Sequence, residues 1–217
     1  YHANVTSLYF KNTFFRNLAM TPRLFFTEDG LTAQVEVLSC APCDDGFAVE
    51  LSTTPFHPQG GGQPSDTGWI GDSEVIRVFH GDDTLVHVVK AAVQTGETQA
   101  RVDETRRLLN TRLHSAGHLI GVCGERAGWI PSRAHHWPGE CRVSFVPGQA
   151  PQPLQAQQVE EQLQQWIEAD LPRVTRMEAE QRFIGFGELP VYPCAGTHVS
   201  SLKQLKSVPS LSIKEKK

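Results

Sequence analysis

Two pairs of metal-binding side chains occur in the chain, each with a spacing of four residues. His114 and His118 lie in the segment RLHSAGH, and Cys194 and His198 lie in PCAGTH. On a helix, residues i and i+4 share a face, so both imidazoles of the first pair can point at one ion. The second pair is surrounded by turn-forming residues and is expected on a turn. Three imidazoles and one thiolate suit Zn²⁺, so the four residues together predict a single zinc site.

The chemistry of such a site depends on its open positions. A zinc ion can polarise an ester carbonyl, orient a substrate, or lower the pKa of a water to about 7. Ser115, Ala116 and Gly117 separate the two histidines, so the glutamate of the HExxH proteases is absent and proteolysis is not expected. Four protein ligands would fill a tetrahedral shell, which is typical of a structural site. Water activation therefore requires one ligand to detach or the shell to expand; otherwise the ion only positions substrate. Our hypothesis is that Cys194 binds as thiolate and that one histidine is the weakest ligand.

A glycine-rich segment, TTPFHPQGGGQPSDTG, runs from Thr53 to Gly68. No Gly-Lys-Ser/Thr sequence follows the glycines, so the segment is not a phosphate-binding P-loop. The consecutive glycines Gly60, Gly61 and Gly62 allow the main chain to approach another group closely. Prolines bracket them, whereas flexible linkers are usually interleaved with serine or threonine. Two interpretations stay open: a flexible surface loop, or a loop of defined shape that lies over a site.

A long helix is expected to position the histidine pair. Asp103 has the residue type of an N-cap, and the helix should extend to about Arg126. Apolar residues at helical spacing predict its buried stripe, which comprises Leu109, Leu113, Ala116, Ile120 and Cys123. Thr111, His114, Ser115 and His118 should lie on an adjacent face, at the edge of the core.

The remaining segments indicate a β-rich half followed by a mixed half. Alternating apolar residues predict short strands at 33–38, 47–51, 74–79, 85–89 and 99–102, which suggest a small barrel or sandwich. Asp44-Asp45-Gly46 is a hairpin signal between the first two strands. Downstream, we expect strands at 141–146, 174–184 and 211–213, and a second helix at 159–169. The predicted domains are 20–98, β-rich with the glycine loop, and 99–217, with the zinc site.

Bulk properties narrow the function classes. The chain has 217 residues, a net charge of −4 and five cysteines. No apolar stretch is long enough for a membrane span, and no disulfide framework is indicated, so we expect a cytoplasmic protein with no membrane and no DNA partner. The composition leaves the oligomeric state open. Residues 1–19 are interpreted as a non-native or disordered extension, with Met20 as the natural start.

A local basic cluster could still contact a polyanion. Its members precede or lie on the histidine helix: Arg101, Arg106, Arg107 and Arg112. Phosphate contact and pairing with neighbouring acidic residues and solvent are both compatible with this pattern. His135, His136 and Trp137 likewise form either an exposed loop or a platform for a base.

Three motifs in this order resemble a known family. PFHPQGGGQPSDTG, RLHSAGHLI and CAGTHV are similar to motifs of the alanyl-tRNA synthetase editing domain, and most of all to the free-standing AlaX alanyl-tRNA editing proteins. The second editing domain of threonyl-tRNA synthetase is related and shares the metal pairs. The resemblance covers about residues 24–213.

The resemblance implies an α+β protein with a small N-terminal β-barrel-like domain and an editing domain that carries an antiparallel sheet and a metal-bearing helix. It implies zinc-dependent deacylation of serine or glycine from mischarged alanine tRNA. His114, His118, Cys194 and His198 stand at the family's ligand positions, and Thr54 stands near a threonine thought to test for the serine hydroxyl. The backbone N–H groups of Gly60–Gly62 could meet the substrate carbonyl or the terminal ribose. Alternatives are a metal-dependent hydrolase of another small ester or amide, and a non-enzymatic RNA-binding module with structural zinc.

The sequence departs from the family pattern at two places. Ala195-Gly196 replaces the usual Gly-Gly after the metal cysteine, and alanine would be strained by roughly 1 kcal/mol if position 195 needs a positive φ. A glutamine that the synthetase editing domains carry about sixteen residues after the second histidine is not evident. Arg133, Ala134, His135 and His136 occupy that region instead.

Overall fold

The fold consists mostly of β-sheet with two helices. The computed structural model describes residues 21–82 and 84–214, so the extension expected at 1–19 lies outside the described residues. Six strands form a closed barrel, and the second half adds a helix pair, a three-stranded sheet and a two-stranded sheet. This composition is compatible with the predicted α+β class. In the described part of the chain, neither helix has the length and apolar character needed to cross a membrane.

The barrel is antiparallel throughout, with the strand order β1-β2-β5-β4-β3-β6. Its strands are β1 (Thr32–Cys43), β2 (Gly46–Leu51), β3 (Gly68–Ile70), β4 (Ser73–His80), β5 (Leu85–Val89) and β6 (Gly96–Val102). Inward-facing Val35 and Val37 are buried while Glu36 between them is exposed, as strand alternation requires. The predicted hairpin at Asp44-Asp45-Gly46 joins β1 and β2, and the predicted strand at 99–102 closes the barrel as part of β6. The proposed domain division at residues 98 and 99 stays a prediction.

A buried polar chain lies in the barrel core. Thr54 and His87 are both completely buried, and the Thr54 hydroxyl lies 2.8 Å from His87 Nε2. His87 Nδ1 lies 3.2 Å from the Val49 carbonyl, which can only accept, so Nδ1 carries the proton and Nε2 accepts from Thr54. The Phe56 N–H donates to the Thr54 hydroxyl at 3.1 Å. Each side-chain polar atom of Thr54 and His87 therefore has a hydrogen-bond partner as long as His87 stays neutral.

Acid is expected to destabilise the metal-free protein through His87. Burial lowers its pKa from 6.5 to about 4, so below pH 6.5 the unfolded state binds more protons than the folded state. Stability should fall as the pH drops through this window, and His87→Gln should reduce the loss by up to about 3 kcal/mol. Denaturant unfolding at pH 7 and pH 4, with chelator present, measures the effect. His80→Gln, at an exposed position on β4, is the comparison: burial also lowers the pKa of His80, but because His80 is exposed its substitution should recover less of the loss. An unchanged pH dependence in His87→Gln would contradict the assignment.

Helix α1 (Glu104–Arg126) begins at the predicted cap, where the Asp103 side chain accepts from the Arg106 N–H. The predicted apolar stripe is wrong at its N-terminal end, because Leu109 is 43% exposed and Leu113 is only half-buried. The helix buries its polar face instead, and its buried apolar contacts come from Leu119, Val122 and Cys123. The buried polar residues of α1 are Arg107, Asn110, Thr111, His114 and Ser115. His114 thus lies inside the protein, whereas His118 is half-buried, as expected for the edge of the core.

A hairpin of β7 (Trp129–His135) and β8 (Arg142–Pro147) packs closely on α1. Strand β8 was predicted, and β7 was not. Glycines on α1 permit the approach: a Cβ at Gly117 would lie 2.2 Å from the His136 ring, and one at Gly124 would lie 2.1 Å from the Phe145 ring. These glycines bring the end of β7 against the histidine pair.

The remaining elements enclose the hydrophobic core of the second half of the chain. Helix α2 (Ala156–Glu168) corresponds to the predicted second helix. The single strand expected at 174–184 is a hairpin of β9 (Arg173–Glu178) and β10 (Gln181–Phe186), because the chain turns at Ala179, whose φ is 52°. Strand β11 (Tyr192–Pro193) pairs with β10. No strand forms at 211–213 within the described residues; Leu211 packs on the core and its N–H donates to Glu160 at 2.6 Å.

Candidate metal centre

The four predicted metal-type residues come together in one group. His114 and His118 lie one turn apart on α1, while Cys194 and His198 lie on the turn that follows β11. Their ligand atoms all lie within 4.8 Å of one another. Cys194 Sγ is 3.4 Å from His114 Nε2 and 3.2 Å from His198 Nε2. His114 and His198 are buried, whereas His118 and Cys194 are half-buried and form the accessible side.

Hydrogen bonds fix the tautomer of the two buried histidines. Gln63 Oε1 lies 2.7 Å from His114 Nδ1, and an amide oxygen can only accept, so Nδ1 carries the proton. The Ser115 hydroxyl donates to the Thr111 carbonyl at 2.8 Å and therefore accepts from His198 Nδ1 at 3.2 Å. In both rings the Nε2 lone pair is left facing Cys194. Ligand histidines in metal sites are usually oriented in this way by the other ring nitrogen.

Thr197 holds Gln63 in the required orientation. The Gln63 amide donates to the Thr197 hydroxyl at 2.9 Å, and its oxygen accepts from the Thr197 N–H at 3.0 Å. These two contacts assign the amide oxygen to the His114 side. Gln63 is completely buried. Through these hydrogen bonds it joins the glycine-rich loop of the barrel (the barrel loop), α1 and the turn at residues 194–198 (the metal turn).

The electrostatics keep the imidazoles neutral. Burial, together with the neighbouring imidazoles and Arg182, lowers the pKa of His114 and His198 well below the usual value. Burial lowers the pKa of His118 to about 3. Burial raises the pKa of Cys194, and the Gly196 N–H and the Arg182 charge oppose this. Neutral imidazoles offer the lone pairs that a cation requires.

The donor set fits a metal ion. Three imidazole nitrogens and one thiol sulfur lie within 4.8 Å of one another, and these are donors that a borderline-soft cation prefers. The four residues could therefore hold a divalent metal ion of the borderline-soft class.

Removing the Gln63 amide should weaken metal binding. Gln63→Leu keeps the side-chain size but removes the acceptor for His114 Nδ1, and such losses typically reduce metal affinity by about 10–100-fold. Competition with a chromogenic chelator measures the affinity. Gln59→Leu, at an exposed position of the same loop, should leave it unchanged. Equal affinities of wild type and Gln63→Leu would show that the contact does not orient the ligand.

The glycine-rich loop has a defined shape that presents Gln63. Gly60 and Gln63 bond to each other through both N–H···O contacts, at 3.1 and 2.9 Å, and close a tight turn. Gly61 and Gly62 have φ values of 56° and 78°, which favour glycine. The Gly62 carbonyl accepts from the His136 N–H at 2.8 Å. The Gly60 N–H is used inside the turn, and the predicted role of Gly60–Gly62 as substrate donors stays a prediction.

Thr54, which the family resemblance places near a residue that tests the substrate, lies inside the barrel. It is completely buried, and its hydroxyl is bonded to His87 and to the Phe56 N–H inside the barrel. The reason is local: the chain turns inward before the loop, and the hydroxyl satisfies a buried histidine. The predicted contact with a serine hydroxyl stays a prediction.

The basic cluster is largely structural. Arg107 is buried and forms an ion pair with Asp66, and its guanidinium also donates to the Pro55 carbonyl at 2.7 Å. Phosphate contact by Arg107 is therefore wrong; the side chain instead ties both ends of the glycine loop to α1. Arg106 and Arg112 donate to backbone carbonyls at 2.9 and 2.7 Å.

The loop that contains His135, His136 and Trp137 divides its residues between two roles. His136 is 2% exposed and stacks on the His114 ring, with centroids 4.3 Å apart and planes at 21°. His136 therefore belongs to the site and not to an exposed loop. Trp137 is 37% exposed and stacks with His135 at 5.6 Å. A base platform stays a prediction for Trp137.

The backbone conformation and the close packing of the metal turn account for Ala195 and Gly196. Ala195 does not have a positive φ, so the anticipated strain does not arise. Gly196 is required for space, because a Cβ there would lie 2.1 Å from the His114 ring and 3.0 Å from Gln63 Oε1. Arg182, which sequence reasoning did not single out, donates to the Gly196 carbonyl at 2.8 Å.

Comparisons with known proteins agree with the motif pattern. The chain is 32% identical over 201 residues to an alanine–tRNA ligase of Frankia alni, a match that covers 77% of this chain and 23% of the ligase. It is 37% identical over 97 residues to alanyl-tRNA editing protein Aarsd1 of Danio rerio, covering 39% of this chain and 24% of that protein. Aarsd1 of Mus musculus is 26% identical over 215 residues, covering 83% of this chain and 52% of the relative. The chain thus spans about a quarter to a half of the length of these relatives. No family model matches the chain.

Proposed function

The chain belongs to the family that alanyl-tRNA editing proteins share with part of the alanine–tRNA ligases, and on this premise we propose that it hydrolyses the aminoacyl ester of mischarged alanine tRNA. The substrates are Ser-tRNA(Ala) or Gly-tRNA(Ala), and the cofactor is Zn²⁺. The observation that carries the proposal is the oriented group of His114, His118, Cys194 and His198. The cytoplasmic location expected from the sequence stays a prediction.

The residues of the chain have separate tasks in this proposal. A zinc ion held by the four ligands would supply Lewis-acid polarisation of the ester carbonyl and a lowered pKa for water. Gln63 and Ser115 keep the Nδ1 protons of His114 and His198 in place, so the Nε2 lone pairs stay directed inward. The ester approaches from the side of His118 and Cys194, where the group is half-buried. An aminoacyl ester is already labile, so positioning and charge stabilisation supply most of what hydrolysis requires.

A second candidate is a non-enzymatic RNA-binding module with structural zinc. It is favoured by the presence of four protein donors within 4.8 Å, because four donors fill a tetrahedral shell. The accessible position of His118 favours the hydrolase, since the half-exposed ligand is the one that can move aside for substrate.

Deacylation of Ser-, Gly- and Ala-charged alanine tRNA, with and without chelator, tests the proposal. We expect metal-dependent release of serine or glycine and little release of alanine. Hydrolysis that a chelator does not affect would contradict the metal role. Metal binding with no deacylation of any of the three would favour the structural alternative.

A further inference from the structure

A cavity of about 470 Å³ opens beside the metal-type group, on the side of Cys194. This volume is within the range of small-ligand sites. The segment before β1 contributes Arg23 and Phe26 to its lining, and the β10–β11 region contributes Arg182, Cys194 and Ala195. Cys194 lines the cavity and belongs to the metal-type group, so a ligand in the cavity lies next to the proposed reaction site.

Two guanidinium groups flank one aromatic ring in this cavity. The guanidinium carbon of Arg23 lies 5.5 Å from the centroid of the Phe26 ring, and that of Arg182 lies 5.3 Å from the same centroid. Cation–π contacts at these distances hold both cations in a fixed arrangement. Phe26 thereby makes a rigid positive surface from two residues that are 159 positions apart in the numbering, 182 less 23.

Within the described part of the protein this positive surface has no ion pair, although Cys194 and Asp29 lie near enough to Arg182 to oppose the lowering of its pKa by burial. Neither Arg23 nor Arg182 forms an ion pair there. Arg182 is 4% exposed and its Nε is buried without a partner among the described residues, although Nη1 donates to the Gly196 carbonyl. Glu180 lines the cavity as an exposed carboxylate at the rim and opposes an anion only weakly through solvent. Buried charges are usually paired, so the arrangement indicates an anionic ligand.

We propose that Arg23 and Arg182 bind the last phosphodiester group of the tRNA, at the 5′ side of the terminal nucleotide. This inference rests on the proposed function. One ribose separates that phosphate from the ester at the 3′ end, so binding it in the cavity directs the ester to the Cys194 side of the metal group. The substrate's amino group is cationic and would be repelled, which leaves the phosphate as the anion nearest the ester. Arginine is well suited to phosphate oxygens.

Charge removal from both partners tests the contact. The ligand is an RNA minihelix with the alanine acceptor sequence and no amino acid attached. Its last linkage is either a normal phosphodiester or a neutral methylphosphonate. Wild type should bind the methylphosphonate about tenfold more weakly, as expected for loss of a charged hydrogen bond. Arg23→Gln should bind the normal minihelix about tenfold more weakly and should lose clearly less than tenfold on the change to methylphosphonate, because only Arg182 still contacts the phosphate. Arg23→Lys should retain part of the discrimination.

Arg77→Gln is the matched control, because Arg77 pairs with Asp45 on the barrel surface and its loss changes the net charge equally. It should keep the full preference for the phosphodiester. Two results would overturn the inference: equal binding of both minihelices by wild type, or an Arg23→Gln protein that still binds the methylphosphonate minihelix about tenfold more weakly than the normal one. Neither result would contradict the proposed deacylation. If wild type binds neither minihelix, the proposed tRNA substrate fails as well. Arg182 is not varied, because it also supports the metal turn.

Discussion

Cys194→Ala is expected to reduce the deacylation rate by at least about 100-fold, because even the loss of residues that only orient ligands costs 10–100-fold. The thiol lies between His114 and His198, at 3.4 and 3.2 Å from their Nε2 atoms, so its removal opens one side of the group. Bound metal per chain should fall in parallel. Metal content by mass spectrometry and kcat/KM on Ser-tRNA(Ala) are the two measurements.

The control for this substitution is Cys43→Ala, which removes an exposed thiol at the end of β1. Both metal content and turnover should stay at the wild-type level. A Cys194→Ala protein that retains one metal ion and full turnover would exclude the thiol as a ligand. Retained metal with lost turnover would instead assign Cys194 to the substrate and not to the ion.

Gly196→Ala is expected to reduce metal affinity and turnover by an amount similar to loss of a ligand, about 100-fold. The added Cβ would lie 2.1 Å from His114 Cε1 and 2.3 Å from Nδ1, so the ring must move away from its position. The same movement would break the 2.7 Å contact between His114 and Gln63. Chelator competition and the deacylation assay measure the two effects.

Ala195→Gly, the adjacent substitution, provides a strict comparison. Ala195 does not have a positive φ, so a glycine relieves no strain, and affinity and turnover should change by less than about twofold. If both substitutions behaved alike, the effect would lie in the flexibility of the turn and not in the space beside His114. A normal Gly196→Ala protein would show that the ring has room to move.

Residue spacing was sufficient to predict the four residues that come together in the candidate metal group, because each pair is held by local geometry. His114 and His118 needed only a helix, and Cys194 and His198 needed only a short turn. The barrel strands were also predictable, since alternation and turn residues such as Gly46 are local signals. Gln63 was missed because its role depends on partners 51 and 134 residues away. Its position directly after the three glycines was the available signal.

The incorrect predictions share a physical cause, which is tertiary burial of polar groups. Periodicity assigns Leu109 to the core, but α1 buries Asn110 and Ser115 in order to seat the metal-type residues. Arg107 resembles a phosphate contact in sequence, and only the fold reveals its pairing with Asp66.

The position of Gln63 also has a thermodynamic consequence. It belongs to the barrel loop, yet it bonds to α1 through His114 and to the metal turn through Thr197. An ion that binds only the folded site stabilises the folded state by mass action. The free energy gained grows with the logarithm of the ratio of the ion concentration to its dissociation constant. Since His114 is bonded to the barrel loop, that free energy would extend to the docking of the barrel. A bound metal would thus link the melting of the two halves into one cooperative transition.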